Sequence, residues 1–283
     1  MEIEIFDEID STYTYVCEHG RELPGGYVAH AVCQTGGRGQ RGNSWEAEPG
    51  KNLSLAMLVR MGDFPARRQF RISEAVSVVI AEELAAFGLE TAVKWPNDIL
   101  AWSRGDGPAS AFASDTLKEP REVSDAPRLV PTAGSSAERP GKICGILIAH
   151  SLLGASIEHS VIGAGINVNQ TEWVSDAPNP VSIASLLGGE YALRPLLERV
   201  CGRIETDLVR LAGDVAGTFE AALHARYMQL LWRNDAGAHP FRDEETGEVF
   251  TATVYAVEPM GHIVLRDETG RLRRFAFKEV AWL

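Results

Sequence analysis

Cysteine is scarce in this 283-residue chain: Cys17, Cys33, Cys144 and Cys201 are the only four, and no two form a C-x-x-C pair. That spacing gives no zinc site and no dense disulfide framework, and it points to a reducing compartment. The seven histidines form no H-E-x-x-H or related cluster, so each reads as an isolated core or surface side chain. No uninterrupted apolar run approaches the roughly 20 residues a bilayer-spanning helix needs, and the N-terminus lacks the charged-then-apolar layout of a secretory signal. A cytoplasmic protein with no membrane partner is expected. Positive charge is also in short supply. Lys and Arg number 27 against 39 Asp and Glu, a formal net charge of −12, whereas a nucleic-acid surface normally shows as a basic patch or a raised pI. What is plentiful is apolar sequence, 45% of residues, enough for a substantial core in one large or two unequal domains.

Against this acidic background the run Gln34-Thr35-Gly36-Gly37-Arg38-Gly39-Gln40-Arg41-Gly42-Asn43-Ser44-Trp45 stands out. Glycines let main-chain N–H groups approach an anion without Cβ obstruction, and each Arg adds a fixed fork of donors. Gly37 to Gly42 also satisfies the dinucleotide fingerprint G-x-G-x-x-G, with Asp63 at about the distance of a ribose-binding acid. That reading fails because the last Gly must open a helix, whereas Gly42 leads through Pro49 and Gly50 into the strand-like Leu53 to Val59. The plainer reading of the loop alone is a glycine-rich hairpin with solvated arginines.

Two further segments hold polar groups at strand ends. Lys94-Trp95-Pro96-Asn97-Asp98 interrupts an apolar strand pattern with a Pro that cannot donate to a sheet ladder. Gly141-Lys142 then heads the apolar run Ile143 to Ile148, where an ammonium needs a partner, a ligand or a route to water. Periodicity predicts a helix over Arg67–Phe87, another opening near Pro195 and a third from about Thr218 to Trp232. After Gly237 the texture changes to short strands, Glu248–Val257, His262–Arg266 and Leu272–Phe277, the pattern of a small β-barrel. Ser103 to Pro140 shows neither helical nor strand period and reads as an exposed, largely disordered insertion, with a docking arm or lid as the functional alternative.

Taken in order, Ser11-Thr12, the Gln34–Trp45 loop, Lys94–Asp98, Gly141-Lys142 with Gly145-Ile146-Leu147, and Gly163-Ala164-Gly165-Ile166-Asn167-Val168-Asn169 resemble the catalytic domain of biotin protein ligases. The resemblance implies an α+β fold: a mixed-sheet catalytic domain of the class II synthetase/biotin ligase kind over 1–236, and an SH3-like β-barrel over 237–283. It implies an ATP-dependent enzyme that activates biotin as biotinyl-5′-AMP and passes it to a lysine of a biotin carboxyl carrier protein, with Mg²⁺ arriving with ATP and the metal ligands unknown. This chain begins at the first catalytic strand, so an enzyme that is not itself a DNA-binding repressor is expected.

Carried over residue by residue, Lys142 and Arg38 neutralise the reacting anions. Ser11, Thr12, Tyr13, Gln34, Gly37, Arg38, Gly39, Gln40, Lys142 and Gly145 hold biotin, with Ile146 and Leu147 along its tail. Arg41, Gly42, Trp45, Lys94, Asn97, Asp98, Asn167 and Glu279 hold ATP or the adenylate. Asp98 either orients Lys94 or helps bind Mg²⁺. Gln40 stands where many relatives have Arg, which implies weaker closure over the adenylate, with Arg41 as a neighbouring substitute. Two other readings stay open, a lipoate ligase or octanoyltransferase of the same general fold and a non-catalytic binding module.

Overall fold

The computed structural model describes residues 1–39, 42–103, 140–175 and 177–283. Gln40 and Arg41, and all of the expected insertion except its end residues Ser103 and Pro140, lie outside the described residues.

Seven strands form one mixed sheet in the order β1-β2-β3-β7-β6-β5-β4. They are β1 (Glu2–Ile9), β2 (Tyr27–Gln34), β3 (Leu53–Pro65), β4 (Glu90–Lys94), β5 (Asp98–Trp102), β6 (Gly141–Leu153) and β7 (Ser156–Ile166). Only β1 and β2 pair in parallel, and the helix α1 (Thr12–His19) makes their crossover. Every residue of β3 from Leu53 to Val59 is buried, because both faces of the sheet are covered. Leu53, Leu55, Met57 and Val59 join the main core with α2 (Phe70–Ala85) and α4 (Leu193–Ala212), while Ala56 and Leu58 pack with Val16 and Tyr27 on the α1 side.

The helix expected from Arg67 splits into a 3-10 turn, Ala66–Arg68, and α2. After the short α3 (Ile183–Leu187), α4 carries Pro195 in its first turn, where a missing N–H costs nothing. α5 (Thr218–Leu230) stops short of the expected Trp232, because Leu231 leaves the helical region and bridges Val93 of β4. Buried acids knit these helices together: Glu83, 1% exposed, accepts from Arg199 at 2.8 Å and Arg203 at 2.7 Å. Leaving such a carboxylate unpaired costs several kcal/mol, on the order of 3–5, so the pairs specify how α2 and α4 dock.

The C-terminal sheet is antiparallel, in the order β11-β10-β9-β8-β12, with β9 (Val249–Val257), β10 (Ile263–Asp267) and β11 (Leu272–Phe275) close to expectation. Two strands carried no legible sequence signal, β8 (His239–Asp243) and β12 (Val280–Trp282), which are short and pair with each other. Phe250 stacks between Phe241 and Phe275 at 5.9 and 5.8 Å between ring centroids. This sheet is fixed to the first. Trp95 Nε1 donates to Gly261 O at 3.0 Å, Phe70 N donates to Pro259 O at 3.0 Å, and Gly261, at φ +95°, leaves room for the Phe70 ring where a Cβ would sit 2.8 Å from it. All four cysteines are free, and no described helix is long and apolar enough to cross a membrane.

Candidate active site

The parallel register that sets Ile9 beside Gln34 also sets the end of β2 against the start of α1. Ser11 is the extended N-cap of α1, its Oγ accepting from Thr14 N at 3.3 Å, the capping expected of a Ser before a helix. Gln34 Oε1 accepts from Thr12 N at 2.8 Å and from Thr12 Oγ1 at 3.0 Å. Ser11 and Thr12 are each 2% exposed, so the amide and the helix start form a small, neutral hydrogen-bonding cluster in an otherwise apolar wall. Tyr13 comes next, with its ring against Gly163 of β7, where a Cβ would approach within 2.9 Å. Burial pushes the Tyr13 hydroxyl up from its ordinary value, so it stays protonated near neutrality.

Leaving Gln34, the glycine-rich loop folds back on itself: Gly39 N donates to Asn43 O at 2.7 Å, Trp45 N donates to Gly37 O at 3.0 Å, and Arg38 bridges Ser44. Among the described residues no α-helix intervenes before β3, as a dinucleotide loop would require. Gly37 serves this backbone turn rather than the cavity wall, since a Cβ there would meet Trp45 O at 2.6 Å. The turn carries the Trp45 indole onto a glycine floor, where Cβ atoms at Gly145 and Gly165 would lie 2.9 and 2.3 Å from it. Trp45 Nε1 is buried without a partner among the described residues.

β4 and β5 form a hairpin whose turn, Trp95 to Asn97, includes a cis Trp95–Pro96 bond. Register then brings Asp98 opposite Gly145, and a bulge between Ile99 and Leu100 sets Lys142 close by. Lys142 Nζ lies 2.8 Å from Asp98 Oδ1 and 5.4 Å from the Trp45 ring centroid. Asp98 therefore partners Lys142 rather than Lys94, the lysine it was expected to orient if it did not help bind Mg²⁺. Lys94 instead sits over the Trp232 ring at 5.6 Å. Asn97 is committed to the edge of β6: its Nδ2 donates to Ile146 O at 2.6 Å and its carbonyl accepts from Ile146 N at 3.0 Å. Asn167, 2% exposed, gives its Nδ2 to Val181 O at 3.0 Å, while its Oδ1 is buried with no partner among the described residues.

These groups, together with Gly39 and Gly42, surround one cavity of about 850 Å³, at the upper end for a small-molecule site. Among the described residues four cations line it, Arg38, Lys94, Lys142 and Lys278, against two carboxylates, Glu46 and Asp98. In a chain of net charge −12 that is a local reversal of sign. Neither carboxylate is free. Asp98 is paired with Lys142, and Glu46 accepts from Ser175 N at 2.8 Å and Val174 N at 2.9 Å. Hydrogen bonds from Ser175 and then Val174 hold the Glu46 carboxyl below the usual range. Glu46 thus latches the glycine-rich loop to the stretch carrying Trp173, Ser175 and Pro178, all three on the cavity wall.

Sequence reasoning missed that latch, and from the C-terminal part of the chain it named Glu279 but not the cavity residues Phe277, Lys278 and Trp282. Trp173, a large aromatic amid polar sequence, was the available signal. Glu279 lies off the cavity wall; its Oε2 accepts from Ala276 N at 2.7 Å and closes its own turn. Among the described residues no three His, Cys, Asp or Glu side chains come together to hold a metal ion.

The biotin/lipoate A/B protein ligase family model matches residues 5–167, more than half of the chain. The bifunctional ligase/repressor BirA of Escherichia coli is 36% identical over 103 residues, 36% of this chain and 32% of that protein. The biotin--[acetyl-CoA-carboxylase] ligase of Mycobacterium tuberculosis is 35% identical over 80 residues, 27% of this chain and 30% of that protein. The matched stretch thus spans about a third of the length of these curated relatives. The structure of the biotin protein ligase from Aquifex aeolicus in complex with biotin and ATP superposes with a TM-score of 0.69 over 99% of this chain and 97% of that one, at 16% identity, a likeness of fold.

Proposed function

This chain belongs to the biotin/lipoate A/B protein ligase family, and we propose from its site that it is a biotin protein ligase working through biotinyl-5′-AMP. The observation that carries the reading is the meeting, in one cavity, of the neutral Ser11/Thr12/Gln34 cluster with the cations Arg38 and Lys142 beside Trp45. Biotin has a neutral ureido ring, which needs placed donors and acceptors, an apolar tail and a carboxylate. The cluster suits the ring, Gly145 and Leu147 the tail, and the cations the carboxylate.

In the first step the biotin carboxylate attacks the α-phosphorus of MgATP and pyrophosphate leaves. Two anions must come together, so fixed cations aimed at the developing charge contribute most. Lys142, held by Asp98, and Arg38 take that role; Tyr13 and Gly39 close around the biotin, with Gly37 shaping the loop. Trp45, Gly42, Lys94 and Asn167 face the nucleotide. Asn97 and Glu279 act indirectly, through the β6 edge and the β11–β12 turn. Mg²⁺ enters with ATP, and the two cavity carboxylates among the described residues, Asp98 and Glu46, are both already engaged.

In the second step the ε-amine of a carrier lysine attacks the acyl carbon and AMP leaves. The carrier is a biotin carboxyl carrier protein. Its docking place is the margin of β6 beyond Ile146, which no strand pairs on that side among the described residues and which borders the cavity at Ile146 and Leu147. For function we divide the chain near residue 236, with both parts walling the site.

A lipoate ligase is the second reading. Its substrate ends in an apolar dithiolane, which would leave the buried Thr12–Gln34 cluster facing a group unable to hydrogen-bond, and sites built around hydrogen bonds discriminate strongly against such analogues. Incubation with ATP and either biotin or lipoate, monitoring pyrophosphate release and then labelling of a carrier, tests the proposal. Release with biotin alone supports it, release with lipoate alone transfers it to the second reading, and release with neither refutes both.

A further inference from the structure

Lys278 sits in the turn between β11 and β12, in the C-terminal sheet, yet it lines the cavity built mainly by the other sheet. Its backbone is unusual: φ is +69°, one of three non-glycine residues with positive φ among those described. A lysine there is strained relative to relaxed backbone, and persists only when its surroundings demand it. The neighbouring acid does not neutralise it, because the Glu279 carboxylate is turned back onto Ala276 N. No carboxylate among the described residues lies within ion-pair distance of Lys278; its ammonium is placed over the Phe277 ring, 5.8 Å from the centroid.

Lys94 presents the same feature from the other sheet, lining the cavity with an aromatic face, Trp232, in place of a counter-ion. The two are drawn to one region by their neighbours. The Trp95 and Phe277 rings meet edge to face at 6.2 Å, and Trp232 contacts Trp282, another cavity residue, at 5.5 Å. Elsewhere in the cavity Lys142 already has Asp98. Two ammonium groups with no counter-ion among the described residues, lining one cavity from the two sheets, form a site for a strongly anionic, flexible group, since Lys acts on phosphate as a mobile point charge.

We propose that Lys278, with Lys94, binds the β- and γ-phosphates of the nucleotide and holds the pyrophosphate as it departs, so that Lys278 acts in the adenylation step and not in the transfer step. This deepens the biotin ligase reading and rests on it. In the balanced step the bond between the α-phosphorus and its bridging oxygen to the β-phosphate breaks as the carboxylate oxygen bonds phosphorus, and that bridging oxygen leaves with its electron pair on pyrophosphate. Lys278 gains its strongest contact with the leaving group as that charge develops.

The test uses the intact chain with Lys278→Ala and Lys278→Arg. For Lys278→Ala, the dissociation constant of inorganic pyrophosphate, measured by calorimetry, rises about tenfold, the loss of one charge-assisted contact at an exposed residue, and KM for ATP rises similarly. Transfer from pre-formed biotinyl-5′-AMP to the carrier, a step without pyrophosphate, keeps its rate, and Lys278→Arg stays within about threefold of the parent throughout. Unchanged pyrophosphate affinity overturns the proposal, and so does an equal loss in both half-reactions, which marks a merely structural residue. Calorimetry needs no turnover. If the parent protein makes no adenylate, the biotin reading fails while the binding result still decides for or against Lys278.

Discussion

Replacing Lys142 by Ala separates what the Lys142–Asp98 pair does for the fold from what it does for the chemistry. The two side chains are 33% and 28% exposed and 2.8 Å apart, so solvent screens their attraction and the pair adds only about 0–1 kcal/mol to stability. The same ammonium has a larger effect on the reaction. Two unit negative charges about 4 Å apart repel by roughly 4 kcal/mol at an effective dielectric of about 20, a typical figure for groups near a protein surface. Offsetting that repulsion is the task assigned to Lys142 when carboxylate and α-phosphate meet. Removing it also leaves Asp98 as an unpaired negative charge in the cavity, and forfeiting half to all of that roughly 4 kcal/mol of offset repulsion is a rate loss of about thirty- to a thousand-fold. The assay is pyrophosphate release with saturating biotin and ATP, run beside urea unfolding. Adenylation falls within that range while the unfolding free energy moves by about 1 kcal/mol or less. A second variant, Lys142→Ala with Asp98→Asn, recovers part of the loss by removing the stranded carboxylate. Near-parental pyrophosphate release by Lys142→Ala, or a collapse of stability in step with activity, refutes the reasoning.

The Glu46 latch predicts that Glu46→Ala speeds dissociation of biotinyl-5′-AMP about tenfold, as charge-assisted bonds to Ser175 and Val174 are lost, and an unchanged rate in a trapped-adenylate assay contradicts it. Because the folded carboxyl is held below its ordinary value of 4.5, the latch is fully formed above that pH and is lost only as pH falls through the lower folded value, so the parental dissociation rate stays level between pH 7 and 5 as far as Glu46 is concerned. Gly165→Ala places a Cβ 2.3 Å from the Trp45 indole and displaces it from the sheet; KM for ATP rises about two- to tenfold, the value of an aromatic contact, and an unaltered KM shows that the indole position is irrelevant to the nucleotide. His30 is 6% exposed, and burial lowers its pKa from 6.5. The unfolded chain therefore binds the proton first as pH falls below about 6.5, and stability declines from there down to the folded pKa. His30→Asn, which retains a donor for Ser54 O, shows a smaller drop in urea midpoint between pH 7.5 and 5.5, and an identical drop excludes His30 as a cause.

Local sequence determined most of the elements and the identity of the loop chemistry. Glycine spacing around Arg38, Pro96 between two apolar runs, and Lys142 at the head of β6 are short-range signals, and the backbone consequences of Gly and Pro do not depend on distant contacts. The α2 periodicity was legible for the same reason. Where local preference was weak, tertiary pairing decided. β8 and β12 exist because they pair with each other across about forty residues, and α5 ends where Leu231 bridges β4. Partner choice within the site was likewise invisible from sequence. Asp98 and Lys94 are close in the chain and directly opposite each other in the β4–β5 hairpin, yet it is the pairing of β5 with β6, with its bulge, that gives Asp98 its ion-pair partner, Lys142. Glu46 reaches Val174 and Ser175 across more than a hundred residues, and Lys278 enters the cavity only because Phe70 and Trp95 fasten the second sheet to the first. Residue type is set by the chemistry a ligand demands and can be read in one dimension, whereas which charges neutralise each other depends on sheet register and domain docking, which the chain acquires only when it folds.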